Sequence, residues 1–139
     1  MITFFVPGVP APQGSKTAKC VNGKAIMWEA SAKVKEWRAT VTATAQIQMI
    51  AKHIETITDP VELVLDFRLP KPKSVKRDTP DVKPDLDKLV RAVGDALTKS
   101  QIYKDDALVI ALSASKSYSQ EPGVWISIVR CNRSEMPGN

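Results

Sequence analysis

Cysteine and histidine are scarce in this chain, which has two Cys (Cys20 and Cys131) and one His (His53) among 139 residues. The two thiols are isolated, with no metal-ligand spacing and no neighbouring Cys, so both read as reduced structural residues. The lone His53 has no partner residues beside it and reads as a solvated or capping residue near a helix end. No apolar run approaches the ~20 residues that cross a bilayer. The opening residues MITFFVPGVP lack a basic segment and carry prolines too early for a signal peptide. These absences lead to the expectation of a cytoplasmic protein with no membrane association. Internal repeats are also absent.

What is present describes one globular unit. A chain of 139 residues suits one domain with one core, and 43% hydrophobic with 25% charged residues is ordinary for such a domain. Residues 1–131 read as that domain and 132–139, the end of CNRSEMPGN, as a polar, disordered tail. A net charge of +5 and a pI near 9.3 are compatible with a polyanionic partner.

Periodicity places the elements. ITFFVPGVP reads as a short strand entering a loop that continues through APQGSKTAK. AIMWEA, residues 25–30, reads as a second strand, with Asn22-Gly23 as a hairpin signal before it. Residues 31–54 read as a helix capped by Ser31, with Trp37, Val41, Thr44, Ile47, Ile50 and Ile54 as its apolar stripe. VELVLDFRL, residues 61–69, alternates cleanly and is the best strand of the chain. Prolines 70, 72, 80 and 84 then bracket a loop of about fifteen residues, a length that is usually functional or mobile. A helix over 86–98 buries Leu86, Leu89, Val90, Val93, Ala96 and Leu97. ALVIALSASKS and VWISIVR are the last two strands, expected to pair antiparallel with each other across Pro122-Gly123. The fold class is α+β: a mostly antiparallel mixed sheet with two helices packed on it, in a single domain.

The segment KPDLDKLVRAVGDALTKSQIYKDD, residues 83–106, carries the chemistry. Taken singly, Asp85 suits a helix N-cap, Asp87 suits the first turn of a helix, and Asp105-Asp106 suits a turn before a strand. Taken together, Asp85, Asp87 and Asp106 are expected to converge at the start of the second helix. Two carboxylates ~4 Å apart repel by roughly 4 kcal/mol at an effective dielectric of 20, a repulsion that a hard divalent cation reverses. Between positions 71 and 91 lie seven basic residues, Lys71, Lys73, Lys76, Arg77, Lys83, Lys88 and Arg91, against four Asp. Lysines that hold a phosphate backbone beside carboxylates that hold a metal are what cutting a polyanion requires. Arg91, four residues after Asp87, reads either as an ion-pair partner or as a cation at the scissile phosphate. Lys16 reads either as a phosphate contact or as a solvated lysine. Lys33, Lys35 and Arg38 open a helix against its macrodipole, which hints at a DNA-facing role. Trp28, Trp37 and Trp125 read as core.

In KPDLDKLVRAVGDAL and IYKDDALV, supported by VPGVPAPQGSK and VELVLDFRLPKPKS, the chain resembles the RusA-type Holliday junction resolvases over most of residues 2–112. The resemblance implies a homodimeric, Mg²⁺-dependent endonuclease, with Mn²⁺ as a substitute, that nicks a four-way DNA junction symmetrically. It puts the metal-binding carboxylates on Asp85, Asp87 and Asp106. Arg91 falls where the family often has Lys, Asp95 falls on the family's second helix Asp, and Lys88 stands where many members have Asn. Such proteins are common in phage and prophage. A C2 dimer also matches the near two-fold symmetry of the substrate. Two other readings share the composition: a non-catalytic basic DNA-binding module, and a metal-dependent phosphohydrolase of small nucleotides.

Overall fold

The computed structural model describes residues 1–14 and 23–131, with the backbone alone over 23–31. Lys16, Cys20, Asn22 and the tail at 132–139 lie outside the described residues, as does the side chain of Trp28. In chain order the elements are strand β1 (Ile2–Pro7), helix α1 (Gly23–Ala51), strand β2 (Val61–Leu69), helix α2 (Leu86–Ser100), a 3₁₀ turn at Asp106–Leu108, strand β3 (Val109–Tyr118) and strand β4 (Gly123–Arg130).

The sheet order is β1-β4-β2-β3. β4 runs antiparallel to both β1 and β2, while β3 pairs with β2 in parallel at the edge. The fold is α+β with a mixed sheet, as the periodicity indicates, but the last two strands do not pair with each other. β4 lies instead between β1 and β2, where Val124, Ile126 and Ile128 enter the core beside Phe67, Leu65 and Leu63. Burial explains the choice. β4 has an unbroken inward apolar phase suited to an interior strand, whereas β3 carries serines at 113, 115 and 117 and leaves Ile110 and Leu112 exposed, as an edge strand can.

β2 buries Val61, Leu63, Leu65, Phe67 and Leu69 on the face that the helices cover. On the other face Arg68 makes a two-bond pair with Asp66, its Nη2 2.7 Å from Oδ2, and hydrogen bonding to that carboxylate raises the guanidinium pKa further. Trp125 lies on this open face against Phe5, their ring centroids 5.1 Å apart, so it is not the core residue expected of it. Gly123 lies tight against β1; a Cβ there would collide with the carbonyl oxygen of Val6 and the ring of Phe5.

α1 corrects two readings. Residues 25–30 form no strand: the helix already begins at Gly23 and runs for 29 residues, leaving Ser31 inside it. Ala25, Met27, Glu29 and Ala30 are good helix formers, and they continue into the stronger pattern that follows. The buried stripe is Val34, Trp37, Val41 and Ala45, while Ile47 and Ile50 face outward. The helix ends where His53 takes a left-handed conformation (φ 53°) and the Ile54 N–H donates to the Met49 carbonyl at 2.8 Å. His53 therefore serves the cap through its backbone.

α2 packs on α1 and buries Leu89, Ala92, Val93, Ala96 and Leu97, and the Thr42 hydroxyl of α1 donates to the Ala96 carbonyl at 2.9 Å. Leu89 is fully buried. Leu89→Ala is expected to cost about 2–5 kcal/mol, and Ile47→Ala about 0.5 kcal/mol or less, in urea unfolding followed by circular dichroism. The reverse ranking would place the helix faces wrongly.

Candidate active site

β2 and β3 run in parallel, so the chain between them must travel back along the sheet, and α2 makes that crossing. The start of α2 consequently sits at the outgoing ends of the two strands, and its last turn sits where β3 begins. Contacts fix both ends. At the start, the Lys116 ammonium, near the end of β3, donates to the carbonyls of Val82 and Pro84 at 2.7 and 2.8 Å. At the finish, the Thr98 hydroxyl donates to the Asp106 carboxylate just before β3.

This geometry separates the carboxylates that the sequence reading expected to converge. Asp85 and Asp87 flank the first residue of α2, whereas Asp106 is tied to Thr98, eleven residues after Asp87 and so ~16 Å farther along the helix axis. Among the described residues, no group of three His, Cys, Asp or Glu side chains is close enough to share a metal ion. The expectation of a convergent Asp85–Asp87–Asp106 triad within one chain is therefore corrected. The reason is the parallel strand pair, which sends the chain back along the full length of α2.

At the near end, Asp85 is the N-cap residue by backbone (φ −69°, ψ 136°), yet its side chain makes no capping hydrogen bond. Its carboxylate lies 3.7 Å from the Lys88 ammonium and remains half exposed. Asp87 is exposed in the first turn, where negative charge suits the macrodipole. The partly buried Leu86 between them anchors the junction to the core. The loop after β1 is seated here too: the Gln13 N–H donates to the Lys88 carbonyl at 3.0 Å, and Arg38 of α1 donates to the Gln13 side chain at 3.2 Å. Arg38 thus spends a donor inside the molecule. Two exposed carboxylates with unused oxygens form a hard donor set, and Mg²⁺ takes one or two carboxylates together with water and phosphate oxygens.

At the far end, Asp105 caps the 3₁₀ turn by accepting from the Ala107 N–H at 3.2 Å, so it serves the turn. The segment carrying both acids is held by a short parallel bridge, with the Ile57 N–H donating to the Ile102 carbonyl and the Lys104 N–H to the Ile57 carbonyl, both at 2.9 Å. Tyr103 is fully buried between these elements. Burial pushes its phenol up to about 12, and the charges of Asp106 and Asp95 act in the same direction, against a lowering contribution from Thr98. Arg91 and Asp95 are exposed on α2 between the two ends.

The basic arm, residues 70–84, lies along the edge of β3. The Lys71 ammonium stands 5.8 Å from the centre of the Tyr118 ring, and Arg77 donates to the Tyr118 hydroxyl at 3.2 Å. Lys71 and Lys73 line an open cleft of about 600 Å³ with Pro70, Pro72, Tyr118 and Gln120. Lys76 and Lys83 are exposed on the same arm. Sequence reasoning missed Gln13, Thr98, Tyr103, Lys116 and Tyr118. Only Lys116 carries a local signal: it occupies the inward phase of β3, opposite the buried Phe67, where an apolar residue is the default.

The Endodeoxyribonuclease RusA family profile matches residues 7–129, nearly the whole chain and both ends of α2. The chain belongs to the RusA endodeoxyribonuclease family. It is also similar to the uncharacterized protein YqaN of Bacillus subtilis (strain 168), at 37% identity over 140 residues covering 91% of this chain and 94% of that protein. As a RusA family member the protein is a nuclease of the hydrolase class. No helix among its described residues is long and apolar enough to cross a membrane.

The Tyr103 environment has a measurable consequence in this RusA family protein. Its folded-state pKa lies above the ordinary value of 10.0, so its contribution to stability is complete below pH ~10 and is lost as pH rises through about 12, because the unfolded phenol ionises first. Across that window roughly 2–3 kcal/mol is at stake. Tyr103→Phe is expected to flatten this part of the alkaline stability profile relative to the parent, as read from urea midpoints between pH 9 and 12. Identical slopes in the two proteins would show that the phenol is not shielded.

Proposed function

We propose that this RusA family nuclease is a Mg²⁺-dependent resolvase of four-way (Holliday) junctions, cutting phosphodiesters in symmetric pairs during recombination and repair. The observation that carries the reading is the exposed, uncapped Asp85–Asp87 pair at the start of α2, beside an arm bearing Lys71, Lys73, Lys76, Arg77 and Lys83. Asp85 and Asp87 would hold the cation, and Mn²⁺, with the same taste for carboxylate oxygen, would replace it. Bound there, the ion supplies charge stabilisation at phosphoryl oxygens and a water of lowered pKa. The arm lysines and Lys88 grip the DNA backbone through its phosphates. Arg91, one turn beyond Asp87 and exposed, stabilises the charge that builds on the scissile phosphate.

The position of Asp106 supports a site assembled from two copies. In one chain Asp106 sits at the opposite end of α2 from Asp87. In a C2 homodimer whose α2 helices run antiparallel, the start of each helix lies beside the end of the other. Asp85 and Asp87 then share a site with Asp106 of the partner subunit, and the dimer carries two such sites for the two strands to be cut. Asp106 keeps its orientation from the Thr98 hydroxyl in either case.

One experiment tests both statements. Asp87→Asn removes a charge from the metal set while keeping shape. Losing even ~3 kcal/mol of transition-state stabilisation would slow junction cleavage more than ~100-fold. Junction binding in a gel shift is expected to persist or tighten, since a carboxylate near the phosphates is neutralised. Asp106→Asn is expected to behave alike. When the two inactive variants are mixed and allowed to exchange subunits, one of the two sites in each mixed dimer is fully parental, and nicking is expected to return. No recovery on mixing would mean that each site belongs to one chain. Parental cleavage by Asp87→Asn would remove that residue from catalysis. Binding with no cleavage by the parent would favour a non-catalytic DNA-binding module, and turnover of nucleotides undisturbed by junction DNA would favour a phosphohydrolase.

A further inference from the structure

Lys116 is unusual for its place in the fold. By register it stands opposite Phe67, on the face of β3 whose neighbouring inward residues, Ala114 and Tyr118, pack against the core. No carboxylate lies within ion-pair reach of it among the described residues; its ammonium instead donates to two backbone carbonyls, those of Val82 and Pro84. Both bonds are short, at 2.7 and 2.8 Å, and the donor is charged, which makes them about twice as strong as neutral ones. The second carbonyl belongs to the peptide group that joins Pro84 to Asp85. A peptide unit is planar, so holding its oxygen also sets the direction of the Asp85 N–Cα bond. One bond farther back, the ring of Pro84 fixes that residue's own φ. Asp85 has no side-chain capping bond of its own to orient it. Apart from its 3.7 Å ion pair with Lys88, the aim of its carboxylate therefore rests on this backbone anchor.

We propose that Lys116 is a positioning residue for the metal site. It clamps the Val82–Pro84 carbonyls to the end of β3 and thereby sets Asp85, and with it Asp87 one residue beyond Leu86, in the orientation that binds the cation. This rests on the reading of Asp85 and Asp87 as metal ligands. Tyr118, two residues along the same face, engages Lys71 and Arg77, so one side of the edge strand holds the arm near both ends. The two tasks differ: Tyr118 meets the DNA-gripping residues, while Lys116 meets the segment that enters the carboxylate pair.

The test compares the parent with Lys116→Met, which keeps the aliphatic length and loses the donors, and Lys116→Arg, which keeps donors and charge. Mn²⁺ binding to the DNA-free protein is read from the loss of the free-ion paramagnetic resonance signal. Junction binding, and nicking as a function of Mg²⁺ concentration at saturating DNA, are measured on the same preparations. Lys116→Met is expected to bind junction DNA within about threefold of the parent, yet to bind Mn²⁺ at least tenfold more weakly and to need correspondingly more Mg²⁺ for half-maximal nicking. Lys116→Arg is expected to recover most of the loss. Parental Mn²⁺ affinity in Lys116→Met overturns the proposal, as does an Arg variant no better than the Met variant. If Lys116→Met melts below the assay temperature, the Arg variant decides: near-parental Mn²⁺ affinity supports the clamp, and a tenfold loss overturns it. A parent that binds no Mn²⁺ and nicks no junction overturns the metal-site reading itself and this proposal with it. A parent that does both beside an unaffected Lys116→Met removes the clamp alone.

Discussion

Two strands that run the same way cannot be joined by a tight turn, and β2 and β3 run the same way. Nearly everything distinctive about this molecule follows from that parallel pair. The chain leaving β2 has to return to the other end of the sheet before β3 can start, and α2 covers the distance. The arm and the Asp85–Asp87 junction are left at the outgoing ends of the strands. Asp106 is delivered to the incoming end, where Thr98 receives it.

The same pairing makes β3 an edge strand with two functions. Its inward phase packs Ala114 against the interior and then turns polar at Lys116 and Tyr118. Those two side chains reach beyond the sheet and hold the arm that the crossover leaves beside them. Covering part of an edge strand with a tethered loop also reduces its availability for pairing with another chain. Basic residues here are thus divided in use. Some hold the protein's own backbone, as Lys116 does, and others, such as Lys73, Lys76 and Lys83, face solvent, where they are available to a polyanion.

Stability and site geometry are coupled at α2. Leu89, Val93 and Leu97 are fully buried, and the exposed side of the same helix bears Asp87, Arg91 and Asp95. Packing on α1 makes the helix a rigid spacer, so the distance between its acid-bearing ends does not depend on the loops. Buried Tyr103 and the Ile57 bridge fix the segment beyond the far end, and the Gln13 contact to the Lys88 carbonyl fixes the near one. The two acid-bearing segments are therefore held a helix length apart by packed structure and not by loops.

What the amino-acid sequence determined by itself is local and periodic. The alternation of VELVLDFRL placed β2 to the residue, because a strand buried on one face repeats every two positions. The apolar stripe of α2 and its start after Pro84 were equally legible, and so were the acids and bases of residues 71–106 and their likeness to the RusA family. Misreadings arose where the local signal was weak or shared. Residues 25–30 lacked a decisive period and were taken into α1 by their helix-forming neighbours, and Ile47 and Ile50 looked like core only because they are apolar. Tertiary structure alone decided which strand lies beside which, because pairing is settled by how well whole faces bury against one another and not by order along the chain. That choice put β4 in the middle of the sheet and β3 in parallel at its edge. It thereby set Asp106 a helix length away from Asp87 and brought Lys116 onto the carbonyl that precedes Asp85.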